Sequence, residues 1–445
     1  MWGERFIPRP PITEVQRTTL PPWEIEIPAA VQTWEEVEEF LTRVRPNPFL
    51  DRDPEVLAQL RKFNSQALKV GEAYFAQKLK APAPGTFAIL VPAHHEQDTI
   101  GPFLTQLLRQ VRQIGRASEL GWRRNTPIPP LQVIIIINGE GEIEKNSPTV
   151  QALEQWKREN PALLSELEEM DIVLTYYFYP PPGKVNSLHR AILDLNQSGS
   201  HFPDGILSLD ADSPLLSGGL SIIHNALLDP RCRERKNIVA ARVALPEHSE
   251  NLRAVLAELP LRGHGERLGW AQGGAWAIPA GLVPFYLSYS RLLPGLYTDD
   301  VGFSLACSQR GGGVVFTQRP ILPLPPPTSW AGFLRQVNRW LGGTRQLEAL
   351  AEAELIDAVV QPQLGPRFLQ RVQDFFPQTL AEAREKLTAL IRQGGRELVG
   401  LPLFAALFWL IDHEHSLVLK VEGQEVELGG PLPNIYRPIF WQPPR

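Results

Sequence analysis

At 445 residues the chain is long enough to bury a sizeable core and to hold two or three domains. Its net charge of -5, with no long basic run, argues against nucleic acid as the main partner. The two cysteines, Cys232 and Cys307, form no metal-ligand spacing, and Met1-Trp2-Gly3-Glu4-Arg5 lacks the basic-then-apolar layout of a signal peptide, so a reducing, cytoplasmic setting is expected.

Prolines number 43, close to double the ~5% typical of proteins. They cluster in loops and at both ends, and an apolar content of 43% makes them stiffened connections rather than disorder. Residues 1–30 read as a Pro-rich extended arm. Thr33-Trp34-Glu35-Glu36 is a capping box that should open a helix running to about Arg45. Asp53-Pro54-Glu55 supplies an N-cap, a proline at the first helical position and an acid in the first turn, opening a second helix to about Lys80. Ala81-Pro82-Ala83-Pro84-Gly85 then marks a boundary, which makes 1–84 a helical N-terminal extension.

From Phe87 short apolar runs alternate with helical stretches. Strands are expected over 87–91, 132–137, 172–178, 205–209 and 237–243, with helices over 98–114, 149–159, 184–195 and 220–227. Near-continuous Val/Ile runs joined by helical crossovers imply an α/β fold with a mostly parallel sheet flanked by helices. Ligands of such sheets sit beyond the carboxyl ends of the strands. Four polar clusters fall there: His94-His95-Glu96, Asn138-Gly139-Glu140, Gly183-Lys184 and Asp210-Ala211-Asp212.

The last cluster is the centre of the chain. In an extended segment alternate residues point the same way, so Asp210 and Asp212 can turn toward one point just past the strand 205–209. Two like charges that close repel, and a divalent cation holding a phosphate is the usual remedy. An ordinary Asp/Ala/Ser loop is the plain alternative. His94 and His95 can equally be loop residues, and Asn138-Gly139 suits a tight turn whatever it binds. Lys184, at a helix start after Pro180-Pro181-Pro182-Gly183, opposes the helix dipole, and an anion shared with that helix end would resolve the conflict.

Residues 269–276 read as a strand whose glycines, Gly273 and Gly274 among them, let backbone or ligand approach closely. Tyr297-Thr298-Asp299-Asp300 follows the Pro294-Gly295 turn and precedes a helix to about Arg310; Thr298 or Asp299 can cap it. On a further helix Gln336, Arg339 and Trp340 share one face, and an amide, a guanidinium and an indole together suit a pyrophosphate beside a sugar ring. Beyond Trp340 the chain should be mostly helical, over 347–360, 379–392 and the apolar run 401–411. That run is well short of the ~20 residues of a membrane span, which leaves a core helix or weak peripheral contact with a membrane surface. Glu422-Gly423 punctuates a hairpin between 417–421 and 425–428. The Pro-rich tail with Tyr436-Arg437-Pro438-Ile439-Phe440-Trp441 should pack back on the body.

From about Phe87 to Trp340 the chain resembles glycosyltransferases of the family 2 type, with the GT-A fold. The matches come in family order: Val91-Pro92-Ala93-His94-His95-Glu96, Asn138-Gly139-Glu140, Gly183-Lys184-Val185-Asn186-Ser187-Leu188, Asp210-Ala211-Asp212, Gly273-Gly274, Thr298-Asp299-Asp300 and Gln336-Val337-Asn338-Arg339-Trp340. The resemblance implies a GT-A domain over 85–342, followed by a mostly helical region over 343–445. It also implies a soluble inverting transfer of a sugar, a hexose by expectation, from a nucleotide-sugar to a carbohydrate, lipid-linked or small-molecule acceptor. Asp210 and Asp212 would hold Mg2+ or Mn2+ on the diphosphate, while Pro92, His94, Glu96, Asn138, Lys184 and Asp210 line the nucleotide-sugar. Asp300 would be the general base. Gly273, Gly274, Asp299, Gln336, Arg339 and Trp340 would face the acceptor and pyrophosphate. The chain departs from the family at His94-His95, where Tyr-Asn is usual, and at Asn138-Gly139-Glu140, where paired acids are usual. Two other classes stay open: a haloacid-dehalogenase-type phosphatase with Asp210 as nucleophile, and a catalytically silent relative that binds carbohydrate or a protein partner.

Overall fold

The computed structural model describes residues 27–43, 54–118, 131–138, 147–179, 183–198, 201–234, 236–244, 271, 273–297, 299–323, 329–352, 374–393 and 401–430. The proposed arm over 1–26, Asp53, Gly139-Glu140, Pro180-Pro181-Pro182, Gly269-Trp270, Gln272, Thr298, the stretch 353–360 and the tail from 431 lie outside them.

Helix α1 (Trp34–Arg43) opens on the expected capping box. The Glu36 N–H donates to Thr33 Oγ1 at 3.3 Å, and the Glu36 carboxylate accepts the Thr33 N–H at 3.2 Å and the Gln32 N–H at 2.7 Å. Helix α2 (Pro54–Lys78) follows. Both helices share one apolar cluster with the sheet, and they pack on each other: Trp34 lies edge-on to Phe75 at 5.2 Å, and Phe40 meets Phe63 at 4.3 Å. At Gly71 α2 packs tightly on α1 and on the segment carrying Ser288, since a Cβ there would run into the Trp34 ring and the Ser288 hydroxyl.

The body is a sheet of seven strands among the described residues, in the order β3-β2-β1-β4-β6-β5-β7. They are β1 (Pro82–Ala93), β2 (Leu131–Asn138), β3 (Ile172–Tyr179), β4 (Phe202–Leu209), β5 (Ile238–Ala244), β6 (Ala275–Pro279) and β7 (Val314–Pro323). Strands β1 to β4 pair in parallel, β6 runs antiparallel between β4 and β5, and β7 lies parallel on β5. Alternate residues divide the core as strand geometry requires. Ala88, Leu90, Ile134, Ile136 and Ile206 face the N-terminal helices, α6 (Lys184–Ser198), α9 (Val283–Leu292) and α10 (Asp299–Gln309). Ile89, Val91, Val133, Ile135 and Leu207 face α3 (Ile100–Ser118), α4 (Pro148–Glu159) and α7 (Gly219–Leu228). Covered on both faces, the central strands need no polar alternation, hence their unbroken Val/Ile sequence. Short helices α5 (Pro161–Glu169) and α8 (Pro230–Glu234) complete this part.

One expectation needs correction. The segment around 269–276 is not one strand: Gly273-Gly274 form a turn, and the strand is Ala275–Pro279. The sheet is mostly parallel, as expected, and β6 is its antiparallel member. Because β6 is antiparallel, its start rather than its end lies at the carboxyl edge, with Ala275 opposite Leu209.

Helix α11 (Trp330–Glu352) runs unbroken through both the Gln336–Trp340 segment and the start of the expected helix at 347. Its first half joins α12 (Leu380–Gln393), α13 (Leu401–Asp412) and the hairpin β8 (Ser416–Val421) and β9 (Gln424–Gly429) in a separate apolar cluster. Leu403 and residues 405–411 of the apolar run are buried there. Among the described residues no helix is long and apolar enough to cross a membrane.

Candidate active site

The parallel strands end together, and the described residues of the expected clusters, His94-His95-Glu96, Asn138, Gly183-Lys184 and Asp210-Ala211-Asp212, lie along that edge. At the end of β1, Pro92 is buried opposite Ile136, and His94 and His95 follow with ring centroids 4.2 Å apart. His94 Nδ1 lies 2.6 Å from the Asn138 carbonyl oxygen, and the Asn138 amide donates to the Ala93 carbonyl at 3.3 Å. These bonds tie the ends of β1 and β2 to each other. Glu96 is engaged in the turn opening α3: its carboxylate accepts from the Thr99 hydroxyl, and its N–H donates to Thr149 Oγ1 at 2.9 Å.

The charged centre lies at the ends of β4 and the start of β6. Lys184, the first residue of α6, donates to Asp210 Oδ1 at 2.6 Å and to the Gly273 carbonyl at 2.9 Å. The Asp210 N–H donates to the Gly274 carbonyl at 2.9 Å, closing the turn against the strand end. Asp300 lies over the same turn: a Cβ on Gly273 would sit 3.3 Å from its Oδ2. A Cβ on Gly274 would sit 2.9 Å from Leu322 and 3.2 Å from Ser213 Oγ, so a side chain at either position would press on close neighbours. Asp212 is exposed and accepts from the Ser213 hydroxyl at 2.9 Å.

Asp299 and Asp300 form the first turn of α10, where backbone N–H groups favour negative charge. Ser304 fixes that turn, donating from its hydroxyl to the Asp300 carbonyl at 2.6 Å while accepting the Ala271 N–H at 2.9 Å. Beneath it Asp299 is buried, and its Oδ2 has no hydrogen-bond partner among the described residues. The buried Tyr286 and Tyr289 phenols are pushed up by burial and then by the charge of Asp299.

The electrostatics of the described residues follow from Asp210, Asp212, Asp299 and Asp300 gathered around Lys184. Burial and then the charge of Asp299 push Asp300 up to about 7, with Lys184 and the Val301 N–H pulling it back. Burial also raises Asp210, opposed by Lys184 and reinforced by Asp212. Burial works against the Lys184 ammonium, but Asp210, Asp299 and Asp300 hold it above the ordinary lysine range. Lys184 therefore stays cationic and is shared among the acids.

Gln336, Arg339 and Trp340 lie on α11, with Arg339 exposed and the other two half-exposed. The phenol of Tyr297, just before the acid pair, is pushed up by burial, and the charge of Arg339 opposes that rise. Between them Asn338 points elsewhere, accepting the Gly429 N–H at 2.7 Å to hold the hairpin.

Among the described residues no three or more His, Cys, Asp or Glu side chains group to hold a metal ion. Asp212 and Asp210 offer hard oxygen donors, which fits a cation that completes its shell with phosphate oxygens and water, as Mg2+ commonly does. Asp210 would have to share its carboxylate with Lys184.

Tyr297 and Ser304 were not expected from the sequence. Ser304 could have been found by its i+4 spacing from Asp300, which lets a helical serine back-bond to that carbonyl.

No family model matches the chain, and no curated protein does. Among solved structures the chain is similar to a mycobacterial protein at 16% identity, with 62% of this chain and 78% of that one covered and a TM-score of 0.32. It is similar to TarS of S. aureus at 12% identity, covering 77% and 60%, with a TM-score of 0.35. It is also similar to glucosyl-3-phosphoglycerate synthase from Mycobacterium tuberculosis, solved with Mn2+, UDP-glucose and phosphoglyceric acid, at 14% identity, covering 65% and 85%, with a TM-score of 0.32.

Proposed function

We propose that this chain is an inverting glycosyltransferase that moves a sugar from a nucleotide-sugar to an acceptor hydroxyl. The observation that carries the reading is the convergence of Lys184, Asp210 and Asp300 on the Gly273 turn, at the sheet edge where ligands of α/β folds bind. The residue types also follow the order of the family that the sequence resembles.

In this reading the edge formed by His94, Asn138 and Lys184 receives the nucleotide, with buried Pro92 shaping the strand end beneath it. Glu96 acts through the α3 turn that it holds. Lys184 turns part of its charge to the diphosphate, and the start of α6 offers N–H groups to the same anion. Mg2+ or Mn2+ held by Asp212, with Asp210 beside it, would offset charge on the departing diphosphate. Asp300 takes the proton of the acceptor hydroxyl as that oxygen attacks the anomeric carbon from the face opposite the leaving group. A carboxylate held near 7 by burial and Asp299 is a stronger base than a solvated one and is still ionised in good part at neutral pH. Gln336, Arg339 and Trp340 close over the pyrophosphate and acceptor sugar, and the absence of side chains at Gly273 and Gly274 lets Asp300 and Ser213 pack against the turn.

The test is thermal stabilisation by a panel of nucleoside diphosphates with and without Mn2+, followed by hydrolysis of the matching nucleotide-sugar. Metal-dependent stabilisation by one base, with release of sugar, is expected. Turnover of p-nitrophenyl phosphate without any nucleotide binding would favour the phosphatase class instead. Binding with no turnover at all would favour a silent relative.

A further inference from the structure

The segment that delivers the acid pair, residues 293–297, belongs to no helix or strand, yet Asp300 must be held to a fraction of an ångström. One side chain spans it. Gln346 of α11 is fully buried, at 0% exposure, and both ends of its amide are used. Its Nε2 donates to the Gly295 carbonyl at 3.0 Å, and its Oε1 accepts the Tyr297 N–H at 2.8 Å. A carbonyl and an N–H two residues apart are thus held by one planar group, as a neighbouring strand would hold them. The next residue, Leu347, continues the contact: a Cβ on Gly302 would lie 3.4 Å from it and 2.7 Å from Leu296. Gln346 lies further along the same helix as Gln336, Arg339 and Trp340, about two turns beyond Arg339.

We propose that Gln346 is a positioning residue for the proposed transfer: it fixes the 295–297 segment to α11 and thereby sets Asp300. It touches neither ligand nor reacting atoms. This inference rests on Asp300 being the base. One rigid helix then carries both the residues that close over the ligand and the clamp on the acid, so the two halves of the site keep a constant separation.

The test uses the full chain with Gln346→Met, which keeps the side-chain length and removes both bonds, and Gln346→Glu, which keeps the acceptor for Tyr297. Hydrogen exchange read on peptides spanning 293–300 is the first measurement. Exchange at least ~10-fold faster in Gln346→Met and intermediate in Gln346→Glu, which keeps the Tyr297 bond but loses the Gly295 one, is expected, because an amide that loses its partner opens more readily. Hydrolysis of UDP-glucose, GDP-mannose and dTDP-glucose with Mn2+ is the second. For the member that the parent cleaves, kcat should fall at least ~10-fold in Gln346→Met with KM within about twofold, and Gln346→Glu should recover part of the loss. Unchanged exchange, or a loss confined to KM, would overturn the proposal. If Gln346→Met does not fold, Gln346→Glu must still lower kcat with KM retained, and normal kcat there would overturn it. If the parent cleaves none of the three, the transfer reading fails by itself, while the exchange arm still decides whether Gln346 holds the segment.

Discussion

Replacing Lys184 with methionine removes, among the described residues, the cation seated among Asp210, Asp299 and Asp300, and its cost should depend on pH in a definite direction. The ammonium contacts Asp210 at 2.6 Å, with side-chain exposures of 24% and 32%. Breaking a fully buried pair by removing one partner costs ~3–5 kcal/mol, and exposed pairs contribute ~0–1, so this intermediate pair should cost about 2 kcal/mol at neutral pH. Asp210 and Asp300 are already raised by burial, and losing the charge that opposes this raises them further. A carboxyl raised in the folded state contributes stability below its unfolded pKa, and that contribution is lost as pH rises through the folded value. The penalty in the variant should therefore be nearly absent at about pH 3, where carboxyls are protonated in folded and unfolded chains, and should grow toward about pH 8. Denaturant unfolding of parent and variant across that range measures it. A penalty that is flat with pH, or largest in acid, would refute the picture of one ammonium balancing three carboxylates.

Asp212→Asn should abolish the metal-dependent part of nucleoside diphosphate binding; calorimetry giving equal affinity with and without Mn2+ in parent and variant would remove the metal from this site. Asp299→Asn should lower the pKa of Asp300 and move the acid limb of turnover down by about one pH unit, since the neighbouring charge helps raise it; a limb that stays in place or moves up contradicts the assignment. Thr33→Ala should cost about 1 kcal/mol of stability through loss of the reciprocal cap, with no effect on nucleotide binding, read by denaturant unfolding.

Much of the sheet was legible because β1, β2 and β4 are buried on both faces and so show unbroken apolar runs ending in polar residues. Of the helices between them, α4 carries a side-chain cap, the Ser147 hydroxyl accepting the Val150 N–H. Strand β6 was misread because five buried residues, Ala275–Pro279, are too few to show a period, and the glycines before them look like part of the strand. Its antiparallel direction leaves no mark in composition. Strand β7 was missed because it lies at the sheet edge, where Gln318, Arg319 and Pro320 are tolerated in the exposed stretch. Within the site, Asp210, Asp212, Asp299 and Asp300 stood out as paired acids at element ends, whereas the bond between Lys184 and Asp210 could not, because it joins the start of one helix to the end of a different strand. Gln346 was hidden for a related reason: a glutamine inside a long helix is unremarkable until the backbone that it holds is placed against it.

The central claim is that Asp300 does the chemistry and does not hold the donor. Donor affinity and turnover should be measured side by side for the parent, Asp300→Asn and Asp299→Asn, with water as acceptor until the native one is found. Removing basicity while keeping shape should lower turnover by ~10²–10⁴ in Asp300→Asn and leave donor affinity nearly unchanged, with a smaller loss in Asp299→Asn. Normal turnover in Asp300→Asn would contradict the claim, whether or not Asp299→Asn is inactive.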